Sequence, residues 1–199
     1  MKIITEILPK TIIIEDKEYP INTDFRTWIE IEKTIMNPDI EDNDKLMIML
    51  YLAFRNDIPQ NIQEALDQLT EFYNCNDITY EKTKKGKDIA YSYEVDEGLI
   101  FSAFMQQYNI DLDSIEYMHW FKYKALFDGL TEDTLFIKIV GYRTMDLSQI
   151  KDKEQRQYYK KLKDKYRIKR KISKEEEELN RLINERLKNG ESIEDLLNN

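Results

Sequence analysis

The stretch Glu116–Leu130, EYMHWFKYKALFDGL, decides the fold. Met118, Phe121 and Ala125 recur at helical spacing, and Tyr117, Trp120, Tyr123 and Phe127 form an adjoining stripe. Apolar side chains therefore cover most of the circumference, as in a helix surrounded by other elements rather than one lying on a surface. Asp113-x-x-Glu116 is placed like a capping box at its start, and Gly129 stops it. A chain built around such a helix needs neighbours to cover it, and the flanking segments supply them.

Upstream, Thr23 or Asp24 caps a helix carrying Phe25, Trp28, Ile29, Ile31, Glu32 and Ile35, which ends near Asn37-Pro38. A second begins at Asn43 or Asp44, runs through Leu46, Met47, Leu50 and Phe54, and ends near Asp57 and Pro59. A third, Asn61 to Tyr73, places Ile62, Leu66, Leu69 and Tyr73 on one face. Residues Asp77 to Asp96 are polar, basic in the middle and contain Gly86, so they read as a long loop. Asp96 then caps a fourth helix. Ile100, Phe104, Gln107 and Tyr108 lie near one face of it, Phe101 and Met105 beside them, and Asn109 suits a left-handed end. Leu135 to Val140 opens another helix or, on so short a pattern, a strand.

The first 22 residues differ. In TIIIEDKEYPI, Thr11 to Ile14 are β-branched, Glu15 to Lys17 make a polar break, and Tyr19 and Ile21 follow: a β-hairpin. Pro9 and Pro20 suit edge positions. A lone hairpin is marginal in water, so it packs on the helices or pairs with another chain. Thr11, Ile12, Ile13 and Ile14 are accordingly candidate self-association residues.

Composition agrees with a mainly α fold. Of 199 residues, 41% are hydrophobic and 35% charged, with only five Gly and four Pro, too few for a turn-rich sandwich. The net charge of −9 is unevenly spread. Residues 1–150 carry −13, Lys151 to Lys171 carry +8, and 172–199 carry −4. This divides the chain into a hairpin plus helical body, 1–150, and a charged helical C-terminal extension, 151–199. The basic part has only a thin apolar stripe of Tyr158 or Tyr159, Leu162 and Tyr166. Ser173-x-x-Glu176 then caps a short helix with Leu179, Leu182, Ile183 and Leu187, closed by Asn189-Gly190.

Little in the chain suggests catalysis. His119 is the only histidine and sits in the most apolar segment, which gives it a structural role. Cys75 has no basic neighbour in sequence to activate it. Asp39, Glu41, Asp42 and Asp44 lack the spacing, Gly and closing Glu of a calcium loop, and Asp111 and Asp113 suit a helix start better than an acid–base pair. No phosphate-binding, nucleophile-elbow or zinc-protease motif is present. The expectation is a non-enzyme with no catalytic, cofactor or metal site. The longest apolar run, Leu46 to Phe54, is nine residues, whereas a membrane span takes roughly 20. No secretory leader is legible, so a soluble cytoplasmic protein is expected. The strongest charge signal is Lys160, Lys161, Lys163, Lys165, Arg167, Lys169 and Arg170, with Lys171, beside Tyr158, Tyr159 and Tyr166. Cations interleaved with aromatics can bind nucleic acid. The acidic body would repel a polyanion, so an acidic protein surface is the favoured partner.

Ser92 to Arg143 resembles the core of the bacteriophage gene-product-fifteen family of siphophages that infect Gram-positive bacteria. QQYNIDL, HWFKYKALFDGL and TEDTLFIKIVGYR carry the likeness, with a weaker match over the hairpin, the LAF helix and the basic tail. The gene in those phages lies among the tail genes, just before the tape-measure gene. The resemblance implies a tail-assembly chaperone that oligomerises, binds the tape-measure protein and keeps it soluble. Another tail-assembly chaperone or the tail-tube protein is a further implied partner. It implies no cofactor, no membrane association and no catalytic residue, with action in the host cytoplasm and absence from the mature virion. The alternatives are a nucleic-acid-associated phage accessory protein and a structural tail or connector component.

Overall fold

β-Branched side chains make Thr11–Ile14 a strand, β1, which pairs antiparallel with β2, Lys17–Pro20, in the register Thr11↔Pro20 to Ile14↔Lys17. The turn is only Glu15 and Asp16, both at positive φ (49° and 59°), while Lys17 already belongs to β2. Positive φ at both central residues is the tight turn whose twist matches a hairpin. Alternation sends Ile12 and Ile14 into the core and leaves Ile13 57% exposed. The hairpin lies against α3. The computed structural model describes residues 3–55, 57–75, 88–189 and 192.

Eight helices follow among the described residues: α1 Phe25–Met36, α2 Asp42–Phe54, α3 Ile62–Tyr73, α4 Tyr93–Tyr108, α5 Trp120–Asp128, α6 Leu135–Thr144, α7 Lys153–Tyr166 and α8 Lys174–Asn189. The fold is thus mainly α with an N-terminal hairpin, and residues 135–144 are helix rather than strand. Local caps set many of the starts. Asp24, Asn61, Thr134 and Asp152 each accept a hydrogen bond from a backbone N–H of the first turn. Asn109 ends α4 in the left-handed region, at φ 53°.

α1 packs against α2, α4 and α5, α4 packs on α6, and α6 on α7. At the centre, the α5 ring of Tyr123 is stacked between Phe25 (4.7 Å) and Phe104 (5.2 Å). Trp120 stacks on Tyr73 at 5.4 Å and donates its indole N–H to the Tyr73 carbonyl at 2.8 Å. Each such ring pair adds about 0.5–1.5 kcal/mol beyond its area burial. Trp120, Phe121 and Phe127 are all buried, as a central helix requires.

Four boundaries depart from the sequence reading. α2 starts at Asp42, after Glu41, and ends at Phe54, with Arg55 as its C-cap at φ 60°. α4 starts at Tyr93, so Asp96 lies inside the first turns and is buried rather than capping. α5 starts at Trp120, four residues after the expected Glu116. The Asp111 carboxylate accepts from the N–H groups of Asp113 and Ser114, making a turn, and residues 117–119 run past the start of α1, where His119 bridges Asp24. There Phe25 N–H donates to Met118 O (2.9 Å) and Trp120 N–H to Thr23 O (2.8 Å). α7 ends at Tyr166, so Arg167, Lys169, Arg170 and Lys171 lie beyond the helix on a non-helical segment. Residues 76–87, the greater part of the expected long loop, and Gly190 lie outside the described residues, as does the side chain of Glu176.

Candidate interaction surfaces

The basic stretch begins at α7, where Tyr159, Leu162 and Tyr166 recur at three and four residues and face α6. Tyr142 of α6 lies 6.4 Å from Tyr159 and 6.0 Å from Tyr166, ring centre to ring centre. Two of the three expected aromatics are therefore structural, and only Tyr158 points outward. The cations divide in the same way. Lys163 Nζ pairs with Asp88 at 2.9 Å and donates to Met145 O at 2.8 Å, holding α7 to the body. Lys171 pairs with Glu94 of α4 at 2.6 Å. Lys160, Lys161, Lys165, Arg167, Lys169 and Arg170 are exposed. A cleft of about 770 Å³ opens between residues 88–89 and 163–170, with Ile89 and Ile168 on its walls and Arg167, Lys169 and Arg170 beside them.

The residues that hold this surface in place are Asp96, which the sequence reading took for a helix cap, and Arg143, to which it gave no role. Arg143 Nη1 and Nη2 donate to the two Asp96 oxygens at 2.7 and 2.9 Å, with both side chains almost fully buried. Arg143 Nε donates to Tyr166 O at 2.6 Å and Nη1 to Ala90 O at 3.2 Å, while Asp96 accepts from Ser92 N–H at 3.0 Å. A buried charge pair is tolerated only when its remaining hydrogen-bonding groups are also met, and this network meets them. It ties α4, α6 and the chain before α4 to the last carbonyl of α7. Arginine inside a segment as apolar as LFIKIVGYR was the available sign, since a guanidinium there must find a carboxylate.

The hairpin edge places Thr11, Ile12, Ile13 and Ile14 together, with two of the four isoleucine and threonine side chains, Ile12 and Ile14, already used in the core. Their sheet has two strands. Two other apolar faces are more open. On α1 and α2, joined by residues 37–41, Met36, Met47 and Tyr51 are more than half exposed, with Ile35 and Ile48 beside them. Of the apolar residues read along α2, Leu50 and Phe54 are buried and Met47 faces outward. On α8, Leu179, Leu182 and Leu187 are exposed, and none of its apolar side chains joins the core cluster.

His119 is buried at the N-cap of α5 rather than inside it. Its Nδ1 accepts from Phe121 N–H at 3.1 Å and its Nε2 lies 2.9 Å from Pro9 O, which assigns the proton to Nε2. Burial pushes its pKa down, opposed by the bond to Pro9. Glu32 accepts a hydrogen bond from the Tyr73 hydroxyl, and burial pushes its carboxyl above the ordinary range. Neither group lines the two clefts found at residues 20–27 and 88–89. Cys75 is buried. Among the described residues no three His, Cys, Asp or Glu side chains gather as a metal site would need, and no helix is long and apolar enough to cross a membrane.

No curated protein and no solved structure matches the chain. A family model, described as Bacteriophage Gp15 protein, matches residues 4–168, from the hairpin to just past the end of α7.

Proposed function

The chain belongs to the bacteriophage Gp15 family, and from that premise we propose that it is a non-enzymatic tail-assembly chaperone that oligomerises and binds the tape-measure protein. Membership makes it a phage structural or morphogenesis protein. The observation that carries the finer reading is the pair of open apolar faces, on α1–α2 and on α8, in a chain that is 35% charged. Clustered exposed apolar side chains mark interaction sites, and high charge keeps their carrier soluble. A tape measure is a long helical chain with apolar stripes, which such faces would cover until tube subunits replace them. Action in the host cytoplasm and release before the virion matures belong to the same reading.

The nucleic-acid alternative loses part of its support. Base stacking needs outward aromatics, and Tyr159 and Tyr166 pack on Tyr142 instead. The test is co-expression with the tape-measure protein. The soluble fraction of the tape measure should rise severalfold and the two should co-purify, while mass spectrometry finds the chain absent or scarce in virions. A tape measure equally soluble without it overturns the reading. DNA binding that falls steeply with salt, together with no effect on the tape measure, would favour the alternative.

A further inference from the structure

α8 is a 16-residue amphipathic helix whose apolar stripe, Leu179, Leu182, Ile183 and Leu187, has the i, i+3, i+4, i+8 spacing of a helix that lies in a groove. Helices of this length are marginal in water without a cover for that face. Among the described residues no α8 side chain belongs to the hydrophobic core. The same chain carries a second uncovered apolar face, Ile35, Met36, Met47, Ile48 and Tyr51, on the α1–α2 pair. The charges at one end of each face are opposite. Asp39, Glu41, Asp42 and Asp44 stand against one Lys45 at the joined end of α1–α2. In the second half of α8 Arg186 and Lys188 stand against Glu185, whereas Glu175 to Glu178 make its first half acidic and Arg181 pairs with Glu178. The non-helical segment from Arg167 to Ser173 separates α8 from α7, and its Lys171 pairs with Glu94 of the body two residues before Ser173.

We propose that α8 of one copy docks on the α1–α2 face of a second copy, its leucine stripe against Met47 and Tyr51 and its C-terminal Arg186 and Lys188, not its acidic first half, beside the acidic helix joint. This specifies the self-association contained in the proposed function and rests on that part of it. The two faces are different surfaces, so the contact is head-to-tail and each copy can both give an arm and receive one. Four or five side chains a side fall short of the roughly 800 Å² per partner of a standard stable interface, so the contact is reversible and concentration-dependent.

Two variants test it: Leu182→Asp with Ile183→Asp, which spoils the arm, and Met47→Asp with Tyr51→Asp, which spoils the receiving face. Circular dichroism and melting should match wild type, which establishes that each variant is folded. In sedimentation velocity across the micromolar range, wild type should grow with concentration and each variant alone should remain monomeric. An equimolar mixture should form one-to-one dimers and nothing larger, because only one intact arm and one intact face remain to meet. Raising salt from 50 to 500 mM should weaken association severalfold. A mixture that stays monomeric overturns the proposal, as does an arm variant that associates normally. Loss in the arm variant with full association in the face variant also overturns it, because α8 would then pair with itself. Wild-type protein that is monomeric throughout overturns self-association altogether. Tape-measure solubility, read in the same samples, tests the chaperone role separately.

Discussion

Trp120 is the residue on which most of the core depends. It is fully buried, stacks on Tyr73 and Tyr123, and satisfies the Tyr73 carbonyl through its indole N–H. Trp120→Ala should cost about 3–5 kcal/mol, measured by urea unfolding, as large aromatic truncations do. Near-normal unfolding would mean that this side chain is not the centre of the core. Asp96→Asn should cost a similar amount, about 3–5 kcal/mol, because it leaves the Arg143 charge buried without its partner. Arg143→Lys should not rescue the site, since an ammonium cannot reach Asp96, Ala90 O and Tyr166 O together. Faster amide exchange at the end of α7 would identify the lost bond to Tyr166. His119 has a pH signature. Its folded pKa lies below the unfolded value of about 6.5, so the unfolded chain binds the extra proton first. The stability from neutral His119 is complete above that value and is lost as pH falls below it. Wild type should lose stability between pH 7.5 and 5.5, and His119→Asn, which can still cap α5, should lose less. Glu32 has the opposite sign, its raised pKa adding a cost as pH rises above about 4.5, but it is common to both proteins and cancels from the difference.

Among elements, the hairpin shows a local preference overridden. Neither Glu15 nor Asp16 favours positive φ, yet both adopt it because a two-residue connection between twisted strands demands it. Asp16→Gly should relieve that cost and raise stability by up to about 1 kcal/mol, read as a higher urea midpoint with unchanged slope. Unchanged or lower stability would show that the turn is held by its contacts with α3, where Glu15 N–H donates to Glu64. The start of α5 is a similar override. A capping box at Asp113 and Glu116 is locally adequate, but it would destroy two backbone bonds to residues 23–25. Arg26 adds to these by donating to the carbonyls of Leu112 and Ile115. Both helices α1 and α5 gain their caps, Asp24 and His119, from opposite sides of this one bridge.

At the scale of the whole molecule the question is how tightly the basic arm is attached. α7 lies on α6 through Tyr142, Lys163 and the Arg143 bond to Tyr166. Truncation after Ser173 should therefore leave the melting temperature of the body unchanged while abolishing association through α8. Truncation after Ile150 should leave a helical body that melts lower, because Arg143 loses an acceptor and the face of α6 carrying Tyr142 is bared. If removing α8 alone lowers the melting temperature by as much, α8 is part of the core and the arm is misread.

Composition and short-range pattern determined the helical class, the hairpin, the helices that begin near Asp24 and Asn61, and the burial of Trp120, Phe121 and Phe127. These are settled by interactions within about one helical turn or by side-chain hydrophobicity, which a linear reading contains. The partnership of Asp96 with Arg143, the late start of α5, the end of α7 at Tyr166 and the outward turn of Met47 were decided only in three dimensions. Asp96 and Arg143 are 47 residues apart, Thr23 and Trp120 nearly a hundred, and no local propensity of a few tenths of a kcal/mol competes with a buried charge or an unpaired buried amide.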